Sequence, residues 1–478
     1  MPAYVTYERF GAKGNGKTDD LKAIVAAHAY ANERGLPVRT APDAVYYIGG
    51  RDMTAVIGTD TDWGTSRFII DDREVENINQ HIFYIPTAHE PKPVTLDRLV
   101  RGQKQISLTF ASTTLISVKD NTRLNYIRRG PNASSGHSVS DTFLVAPDGK
   151  VLNDIMWDFP QITSATARRI EETPLCVRGG SFLTIANDRP SKYTYFARDI
   201  AVRRSRVTLE GIRHRIEGEG EHGAPYGGFL QISGAAYVTL RDCDLTGHKI
   251  YITEGVGSTV PMGSYDITVG GSAFVMLKGI TQVPDIMDNT RWGLIGTNYC
   301  KDLTLEGCRM SRFDAHCGVT NATVRDCQLG WQCVAAIGQG RLTVERTSVY
   351  GHSFISLRPD YGSVWDGPLT IRDCEWYPDG KRPNVVSGNN DGTHDFGYEC
   401  TMPQQITIDG LTIHDDAPVI ESIAFLGDYA DRHTGDRPYP YGTPSVLSIR
   451  GVSTDSGRIV EVCRKPELYP DTEIKNLP

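Results

Sequence analysis

A short alternation of apolar and polar residues recurs through the second half of the chain. Each copy reads apolar, threonine, apolar, then a polar or glycine turn and a further apolar residue. The clearest copies occupy residues 238–243, 303–308, 322–327, 342–347, 369–374 and 406–411, with looser copies at 207–212, 267–272 and 447–452. From Thr304 to Thr323 is 19 residues, and from Thr323 to Thr343 is 20. Such a period predicts a solenoid, in which every unit buries its apolar face against its neighbours.

The repeated unit contains a strand and a turn but no helix, which predicts an all-β, single-stranded parallel β-helix. Cys243, Cys308, Cys327 and Cys374 fall at one repeat position, and we interpret them as an inward column of small apolar side chains. Zinc binding by these cysteines is the alternative, but the chain has no C-x-x-C pair. Reduced, unpaired cysteines also fit an intracellular protein.

The pattern divides the chain into three predicted parts. Residues 1–50 form an N-terminal cap of strand, loop and amphipathic helix, with Thr18 or Asp19 as the helix N-cap. Residues 51–200 form early rungs with an insertion or a small β subdomain. Residues 201–478 form the main β-helix, whose long loops wall a catalytic groove.

The loop before the predicted helix reads FGAKGNGKTDD, from Phe10 to Asp20. Together with the repeats, this string resembles the start of pectate-lyase-like right-handed parallel β-helix proteins, which include phage tailspikes. Residues 285–400 show a weaker resemblance to lacto-N-biosidase-type β-helix glycosidases. The resemblance implies a right-handed solenoid with an N-terminal capping helix, and it implies carbohydrate chemistry.

The same stretch also fits a phosphate-binding P-loop, because residues 11–18 match G-x-x-x-x-G-K-[ST] and precede a helix. A P-loop strand is buried in a parallel sheet and is nearly all apolar. The preceding VTYERF instead alternates apolar and polar residues. We therefore predict that Lys17 binds no nucleotide and that the loop packs at the N-terminal end of the solenoid.

The formal net charge of −8 argues against a nucleic-acid or membrane-surface partner. No apolar run of about 18 residues occurs, so no membrane span is predicted. The N-terminus lacks the charged and apolar regions of a signal peptide. We therefore expect a cytoplasmic protein, or a secreted one whose leader has been removed. Its expected partner is a carbohydrate substrate, bound by a monomer or a homo-oligomer.

Equivalent residues of neighbouring rungs are about 4.8 Å apart, so residues at one repeat register form one site. Nine or ten positions after the repeat threonines stand His248 or Lys249, then Asp314, then Gln332 or Cys333, then His352. Arg312, Asp314 and His316 occupy alternate positions, so on a strand they share one face. This column predicts an acid/base cluster around Asp314.

Carboxylates, histidines, amides and aromatic rings are concentrated between residues 285 and 400, and together they suit the binding and cleavage of a sugar. The catalytic candidates are Asp314, Asp360, Asp395, His316 and Arg358. The substrate-binding candidates, including those of the column, are Arg312, His248, His352, Gln332, Trp292, Tyr361, Trp365, Asp366, Asn390 and His394. The Pro- and Tyr-rich excursion at 414–445, with Tyr439, is long enough to predict a functional loop.

The leading hypothesis is a glycoside hydrolase that cleaves an oligo- or polysaccharide with two carboxylates, one acting as general acid. Asp314 is the first choice, Asp360 its partner and Asp395 the third. Trp292, Tyr361 and Trp365 are expected to stack on sugar rings. The hypothesis requires no metal and no cofactor.

The alternative is a polysaccharide lyase, in which Arg358 or Ca²⁺ neutralises a uronate and His316 or His352 removes a proton. The acidic loops would supply the oxygen ligands of that Ca²⁺. The third hypothesis is a non-catalytic glycan-binding solenoid or a tailspike.

Overall fold

The repeated threonines lie in register on parallel strands of successive rungs, which confirms the predicted solenoid. The column runs Thr208, Thr239, Met276, Thr304, Thr323, Thr343, Thr370, Thr407 and Ser448. The looser copy at 267–272 does not belong to this column. Its strand, Ile267–Gly270, pairs with Leu230–Ser233 on a different sheet.

A computed structural model describes residues 4–129, 135–192, 194–221, 223–253, 261–283, 285–390, 392–429 and 441–476. Three parallel sheets run along the solenoid, and the rungs contribute strands to each of them. We name them the threonine sheet, the second sheet, which follows it in each rung, and the groove sheet, which completes the rung. Much of the predicted excursion, including Tyr439, lies outside the described residues.

The threonine sheet contains Val38–Arg39, Val207–Glu210, Ala236–Arg241, Ala273–Lys278, Gly338–Glu345, Trp365–Asp366 and Glu473–Asn476. The second sheet contains Asn15–Asp19, Val45–Ile48, Arg213–Glu217, Asp244–Thr246, Thr281–Val283, Arg309–Met310, Gln328–Leu329 and Ser348–Tyr350. The groove sheet contains Ala55–Val56, Phe83–Ile85, Ile200–Val202, Leu230–Ser233, Ile267–Gly270, Val334–Ala336, Ser353–Leu357, Asn384–Ser387, Ala424–Leu426 and Glu461–Cys463.

Longer strands bend from one sheet into the next. Those that run from the threonine sheet into the second sheet are Thr61–Asp71, Leu175–Ile185, Leu369–Tyr377, Gln405–Ile413 and Val446–Thr454. Those that run from the groove sheet into the threonine sheet are Ile295–Glu306 and Phe313–Arg325. Short strand pairs also join Tyr251–Ile252 to Pro261–Met262 and Cys400–Thr401 to Tyr441–Gly442.

One turn geometry ends the threonine sheet in successive rungs. The residue three positions after each member of the column has a positive φ, between 45° and 85°. These residues are Gly211, Asp242, Gly279, Gly307, Asp326, Arg346, Asp373, Gly410 and Gly451. Glycine adopts this left-handed conformation without strain and aspartate tolerates it. The turn therefore explains why the repeated phrase usually continues with Asp or Gly.

The four repeat cysteines follow this turn, and they are buried and free of disulfide bonds. Cys308 and Cys327 are neighbours, because the amide of Cys308 donates to the Sγ of Cys327 at 3.3 Å. The apolar column is confirmed, although Ile280 precedes Cys308 in it and Thr347 follows Cys327, as the backbone hydrogen bonds between rungs show.

The described residues contain one α-helix, Leu21–Arg34, which packs on the core at the N-terminal end of the solenoid. Gly35 ends it in the left-handed conformation. The N-cap is Asp20, so the predicted Thr18 or Asp19 is wrong by one or two residues. Three 3₁₀ helices span Glu8–Phe10, Pro359–Tyr361 and Pro466–Leu468. Within the described residues, no helix is long and apolar enough to cross a membrane.

The P-loop-like string does not form a loop that opens a helix. Part of it is the strand Asn15–Asp19, and the amides of Lys13 and Gly14 donate to the carboxylate of Asp20 at 2.6 and 3.1 Å. The amide of Lys17 donates to Asn15 Oδ1 at 3.0 Å. Backbone donors that a P-loop would offer to phosphate are therefore already satisfied.

We predict that calorimetric titration with Mg²⁺ and ATP gives no binding heat for the wild-type protein. The reason is the occupation of these backbone donors by the chain's own side chains. Mg²⁺-dependent ATP binding that disappears in a Lys17→Ala variant would contradict this prediction.

A four-stranded antiparallel sheet interrupts the early rungs. Its strands are Lys92–Pro93, Thr114–Asn125, His137–Val145 and Ser164–Arg169, and we call residues 92–169 the insertion. Its core is separate from that of the solenoid and contains Ile116, Phe143 and Phe159. The ammonium of Lys301 on the solenoid lies 2.6 Å from a carboxylate oxygen of Asp141 on the insertion. The segment after Thr114–Asn125 reaches the groove sheet, so the insertion forms part of the groove wall.

Candidate active site

Asp314 stands at the outward position of the groove sheet, between small residues on the flanking rungs. It pairs with Gly296 on one side and Ala335 on the other. The ring of Tyr265 lies over this position, and a Cβ at Gly296 would stand 2.9 Å from that ring. The missing side chain of Gly296 therefore lets Tyr265 cover the carboxylate.

The carboxylate of Asp314 is fully buried and bound by three donors. Arg312 and Arg358 approach its oxygens at 2.9 and 2.6 Å, and the hydroxyl of Tyr265 donates to it. Burial alone would raise the pKa of this carboxyl, but the two guanidinium groups outweigh it and hold the pKa well below its usual range. Asp314 is therefore a carboxylate anion at neutral pH.

Arg358 joins Asp314 to the second predicted carboxylate. Its Nε and Nη2 donate to the two oxygens of Asp360 at 3.1 and 2.8 Å. Burial raises the pKa of Asp360. The hydrogen bonds and charge of Arg358 lower that pKa by more, so the net effect is a decrease. On the other side, Arg312 donates to Gln332 at 2.5 Å and lies 5.4 Å from the centre of the Trp292 ring. The site is thus a chain of alternating charges along the rungs.

Two cavities open on either side of this charged chain. The first, of about 400 Å³, is lined by Arg128, Tyr195, Tyr226, Tyr265, Trp292, Asn298, His316 and Arg358, among others. The second, of about 440 Å³, is lined by Arg312, Trp331, Gln332, His352, Ser356, Arg358 and Asp360, among others. Arg358 lines both cavities, so they adjoin at its side chain, and we call the two together the groove.

His316 projects into the first cavity from a β-bulge. Ala315 and His316 stand opposite the single residue Thr297, where the strand register shifts. The Nδ1 atom lies 3.2 Å from Asn298 Oδ1 and 3.3 Å from Cys317 Sγ, and a proton donated from Nδ1 to Asn298 leaves the lone pair on Nε2. Burial and the neighbouring Arg358 lower the pKa of His316 to about 4. The imidazole is therefore neutral at physiological pH.

Nine of the predicted site residues lie in or around this groove. They are Trp292, Arg312, Asp314, His316, Gln332, His352, Arg358, Asp360 and Tyr361. Tyr361 is only 3% exposed, with the guanidinium of Arg358 5.7 Å from its ring centre. It therefore supports the site from beneath and is not an open platform for a sugar.

The structure places His248 away from Asp314, so the counted register is wrong there. Its Nε2 lies 2.8 Å from Asp266 and its Nδ1 lies 3.0 Å from Glu219. His214 binds the same Asp266 carboxylate at 2.8 Å. All four side chains are buried. They form a charged network inside the protein. One member, Asp266, directly follows Tyr265 in the sequence.

The remaining predicted residues also lie outside the groove. Trp365 is fully buried in the core and donates to Gly340 O, so it cannot stack on a sugar. Asp366 pairs with Arg101 of the insertion. Three further candidates bind backbone groups. Asn390 donates to Gly362 O, His394 binds Ile127 O, and Asp395 accepts from the amide of Gly397. Asp391, the residue after Asn390, lies outside the described residues.

Several groove residues carry no signal in the sequence. Tyr226 and Tyr265 come from earlier rungs, Asn298 from the strand beside Asp314, and Arg128 from the insertion. None of them belongs to the repeated phrase. The bulge that turns His316 into the cavity is likewise visible only in the strand register.

The described part of the chain holds no group of three His, Cys, Asp or Glu side chains placed to bind a metal ion. Two residues of the acidic loops pair with arginines: Asp360 with Arg358, and Asp366 with Arg101. In the described residues, the groove thus offers cations and amides to a ligand more readily than a cluster of carboxylates.

The buried network around His248 predicts a pH dependence of folding. Burial lowers the pKa of His248, but Glu219 and Asp266 outweigh it and raise the pKa to about 10. The stabilisation from this histidine is complete below its unfolded pKa of about 6.5 and is lost as pH rises towards 10. Asp266 has a pKa held below its usual range by His214 and His248 despite burial, so its contribution is lost as pH falls.

We therefore expect the free energy of unfolding to decrease between pH 7 and pH 9.5, by at least about 1 kcal/mol. A His248→Gln variant should show a flatter profile over the same interval. Urea unfolding at a series of pH values measures both. Identical slopes for the two proteins would show that His248 is uncharged in the folded state.

No protein-family model matches the sequence, and no curated protein matches it. Solved structures do match over most of the chain. The tailspike gp61 of Pseudomonas phage phi297 aligns with a TM-score of 0.57 and 12% identity, covering 95% of this chain and 81% of that one. The tailspike gp49 of Pseudomonas phage LKA1 aligns with a TM-score of 0.55 and 13% identity, covering 94% and 81%.

A third match is the Gp54 tailspike of Acinetobacter baumannii bacteriophage AP22, solved in complex with A. baumannii capsular saccharide. It aligns with a TM-score of 0.54 and 9% identity, covering 98% of this chain and 79% of that one. The fold that this chain shares with these tailspikes is the parallel β-helix. At such identities the likeness establishes the fold alone. The chemistry must be inferred from the side chains of the groove.

Proposed function

We propose that this β-helix binds an oligo- or polysaccharide along its groove and cleaves it by β-elimination next to a uronate. The observation that carries the proposal is the neutral imidazole of His316, which lines a cavity together with Asn298, Arg358 and Arg128. A neutral base beside cations and an amide is what the removal of a proton next to a carboxylate requires.

The proposed step uses Nε2 of His316 as the base. It takes the C5 proton of the uronate, a double bond forms between C4 and C5, and the C4–O bond to the neighbouring sugar breaks. The leaving oxygen takes a proton from solvent. The positive charge of the arginines stabilises the negative charge that develops on the carboxylate during proton removal.

The walls of the first cavity suit a sugar chain. Trp292, Tyr195 and Tyr226 supply aromatic surfaces, and Asn298 supplies polar atoms for hydroxyl groups. The shared fold with a tailspike solved with a capsular saccharide supports a glycan as ligand. The second cavity continues the groove, which fits a ligand longer than one sugar unit.

Hydrolysis by two carboxylates is the second candidate, because Asp314 and Asp360 bind the same guanidinium beside the groove. A glycoside hydrolase needs one carboxyl group that is protonated at working pH, so its pKa must be raised. Arginines keep both of these carboxyl groups ionised. Asp314 is also inaccessible. We therefore rank elimination above hydrolysis.

The test is incubation with a panel of acidic and neutral polysaccharides, assayed both for new reducing ends and for the ultraviolet absorbance of a conjugated, unsaturated sugar. We expect both signals from a uronate-containing polysaccharide. Reducing ends without absorbance would contradict elimination and favour hydrolysis. Retention of a polysaccharide on the immobilised protein with neither signal would contradict cleavage and favour a glycan-binding solenoid.

A further inference from the structure

We infer that Arg128, which the insertion delivers to the groove, binds the carboxylate of the substrate and so selects acidic glycans. The inference rests on the function proposed for the first cavity, and it concerns which residue gives that cavity its specificity. Arg128 is not part of the solenoid, and its role depends on how the insertion is docked.

Tyr126, two residues before Arg128, anchors the segment that carries it. Tyr126 is buried in a cluster of aromatic rings, with the rings of Tyr299 and Tyr398 at 5.5 and 5.3 Å. Its hydroxyl lies against Gly318, which has a φ of 90° and no space for a Cβ on that side. Any side chain at Gly318 would push Tyr126 away, and Arg128 with it.

Backbone hydrogen bonds fix the residues on both sides of Arg128. The amide of Ile127 donates to Phe396 O at 3.1 Å, and the amide of Arg129 donates to Asp360 O at 2.8 Å. The ring of His394 also binds Ile127 O at 3.1 Å. Arg128 is thus held at the groove before any ligand arrives, which reduces the entropy lost on binding.

The charges in the groove leave the guanidinium of Arg128 in surplus. Asp314 is neutralised by Arg312 and Arg358, and Asp360 already accepts two hydrogen bonds from Arg358. The Nε atom of Arg128 lies at an ion-pair distance, 3.2 Å, from a carboxylate oxygen of Asp360. Among the described residues this Nε atom makes no hydrogen bond. Three arginines therefore face two carboxylates, while the adjacent imidazole is neutral.

A carboxylate on the ligand is the group that fits this surplus. A guanidinium binds a carboxylate through two parallel hydrogen bonds, and Arg128 lines the cavity that His316 also lines. A carboxylate bound there would place the adjacent C–H of a uronate near the proposed base. A neutral sugar would leave three guanidinium groups sharing two carboxylates.

The test uses D-glucuronate and D-galacturonate as probes, with D-glucose and D-galactose as neutral counterparts, in calorimetric and NMR titrations. We expect the wild type to bind at least one uronate about tenfold or more tightly than its neutral counterpart, and Arg128→Met to lose this preference. Arg128→Lys should keep part of it, because the charge remains without the fork.

Arg123→Met is the matched control. Arg123 lies on the strand that leads to Arg128, is 39% exposed against 38% for Arg128, and pairs with Asp120. It should retain the full preference for a uronate. Thermal unfolding of all variants checks that the insertion remains folded.

The inference is overturned if the wild type shows no preference for either uronate, or if Arg128→Met keeps that preference. Cleavage assays separate the two proposals. Unsaturated products at the wild-type rate from Arg128→Met would refute the role of Arg128 and leave elimination intact. Uronate binding that depends on Arg128, without any unsaturated product from a polysaccharide, would refute elimination and leave the role of Arg128 intact.

Discussion

Replacing Asp314 by asparagine is expected to lower the free energy of unfolding by about 3–5 kcal/mol. The carboxylate is fully buried and is the shared counter-ion of Arg312 and Arg358. Asparagine keeps the shape but removes the charge, so Arg312 loses its carboxylate and Arg358 keeps only that of Asp360. Removal of one partner of a buried ion pair is costly because the other charge cannot regain its hydration.

Urea unfolding of the variant and the wild type measures the effect. Asp326→Asn is the matched control, since Asp326 also pairs with an arginine, Arg346, at 2.7 Å, but both side chains are about half exposed. The control should show little change because water solvates the partner that remains. Equal stability of the Asp314→Asn protein and the wild type would show that the buried cluster is not held by charge.

The same substitution tests the hypothesis that Asp314 is catalytic, which predicts a loss of activity of at least about a hundredfold. Such a loss has another explanation, because Asp314 is buried and holds Arg358: without the carboxylate, Arg358 would be displaced. A double variant, Asp314→Asn with Arg312→Gln, restores the balance of charge. Recovery of stability and turnover together would make Asp314 a positioning residue. Recovery of stability alone would assign it a chemical role.

Replacing His316 by alanine is expected to lower kcat on the cleaved polysaccharide by about 10²–10⁴-fold with little loss of stability. The imidazole is the base in the proposed elimination, and it packs at the edge of the cavity rather than in the core. His414→Ala is the control, because His414 is also partly exposed but pairs with Asp455 on the second sheet, outside the groove.

The pH profile adds a readout that a purely structural role would not give. Burial lowers the pKa of His316 to about 4, so the base is deprotonated above that pH. We expect kcat/KM to fall below about pH 4 and to stay level above it up to neutrality, since this parameter reports the free enzyme. An unchanged kcat in His316→Ala would remove His316 from the mechanism. An acid limb near the usual histidine pKa that disappears in His316→Ala would keep His316 as the base and show that its pKa is not lowered in the groove.

The sequence predicts the solenoid well because the repeated phrase that forms the threonine column occurs at nearly every rung. The strand, the left-handed turn and the inward residue after the turn are separated by constant distances. From Thr304 to Gly307 and from Thr370 to Asp373, for example, is three residues in each case. A local geometry that recurs in this way needs no knowledge of distant contacts.

The groove is predicted less well because the connection from the second sheet to the groove sheet varies in length. From Thr304 to Asp314 is 10 residues, from Thr323 to Ala335 is 12, and from Thr239 to Thr268 is 29, although all three end points share one column. Counting nine or ten residues from the threonine therefore finds Asp314 and misplaces His248. The count also gives Gln332 and His352 where the column contains Ala335 and Ser356. Arg128 is beyond the reach of any count, because docking of the insertion brings it to the site.

The constant turn and the variable connection have a consequence for protein engineering. Length changes at the turn after the threonine sheet would displace every inward residue that follows, so this edge should tolerate few insertions. The edge between the second sheet and the groove sheet already accepts connections of very different length in the same register, because the spacing from the threonine column to the groove column ranges from 10 to 29 residues. Loops grafted at this edge should therefore alter which ligands the groove accepts while the rungs beneath stay in place, much as the insertion already reaches the groove from the edge between the groove sheet and the threonine sheet.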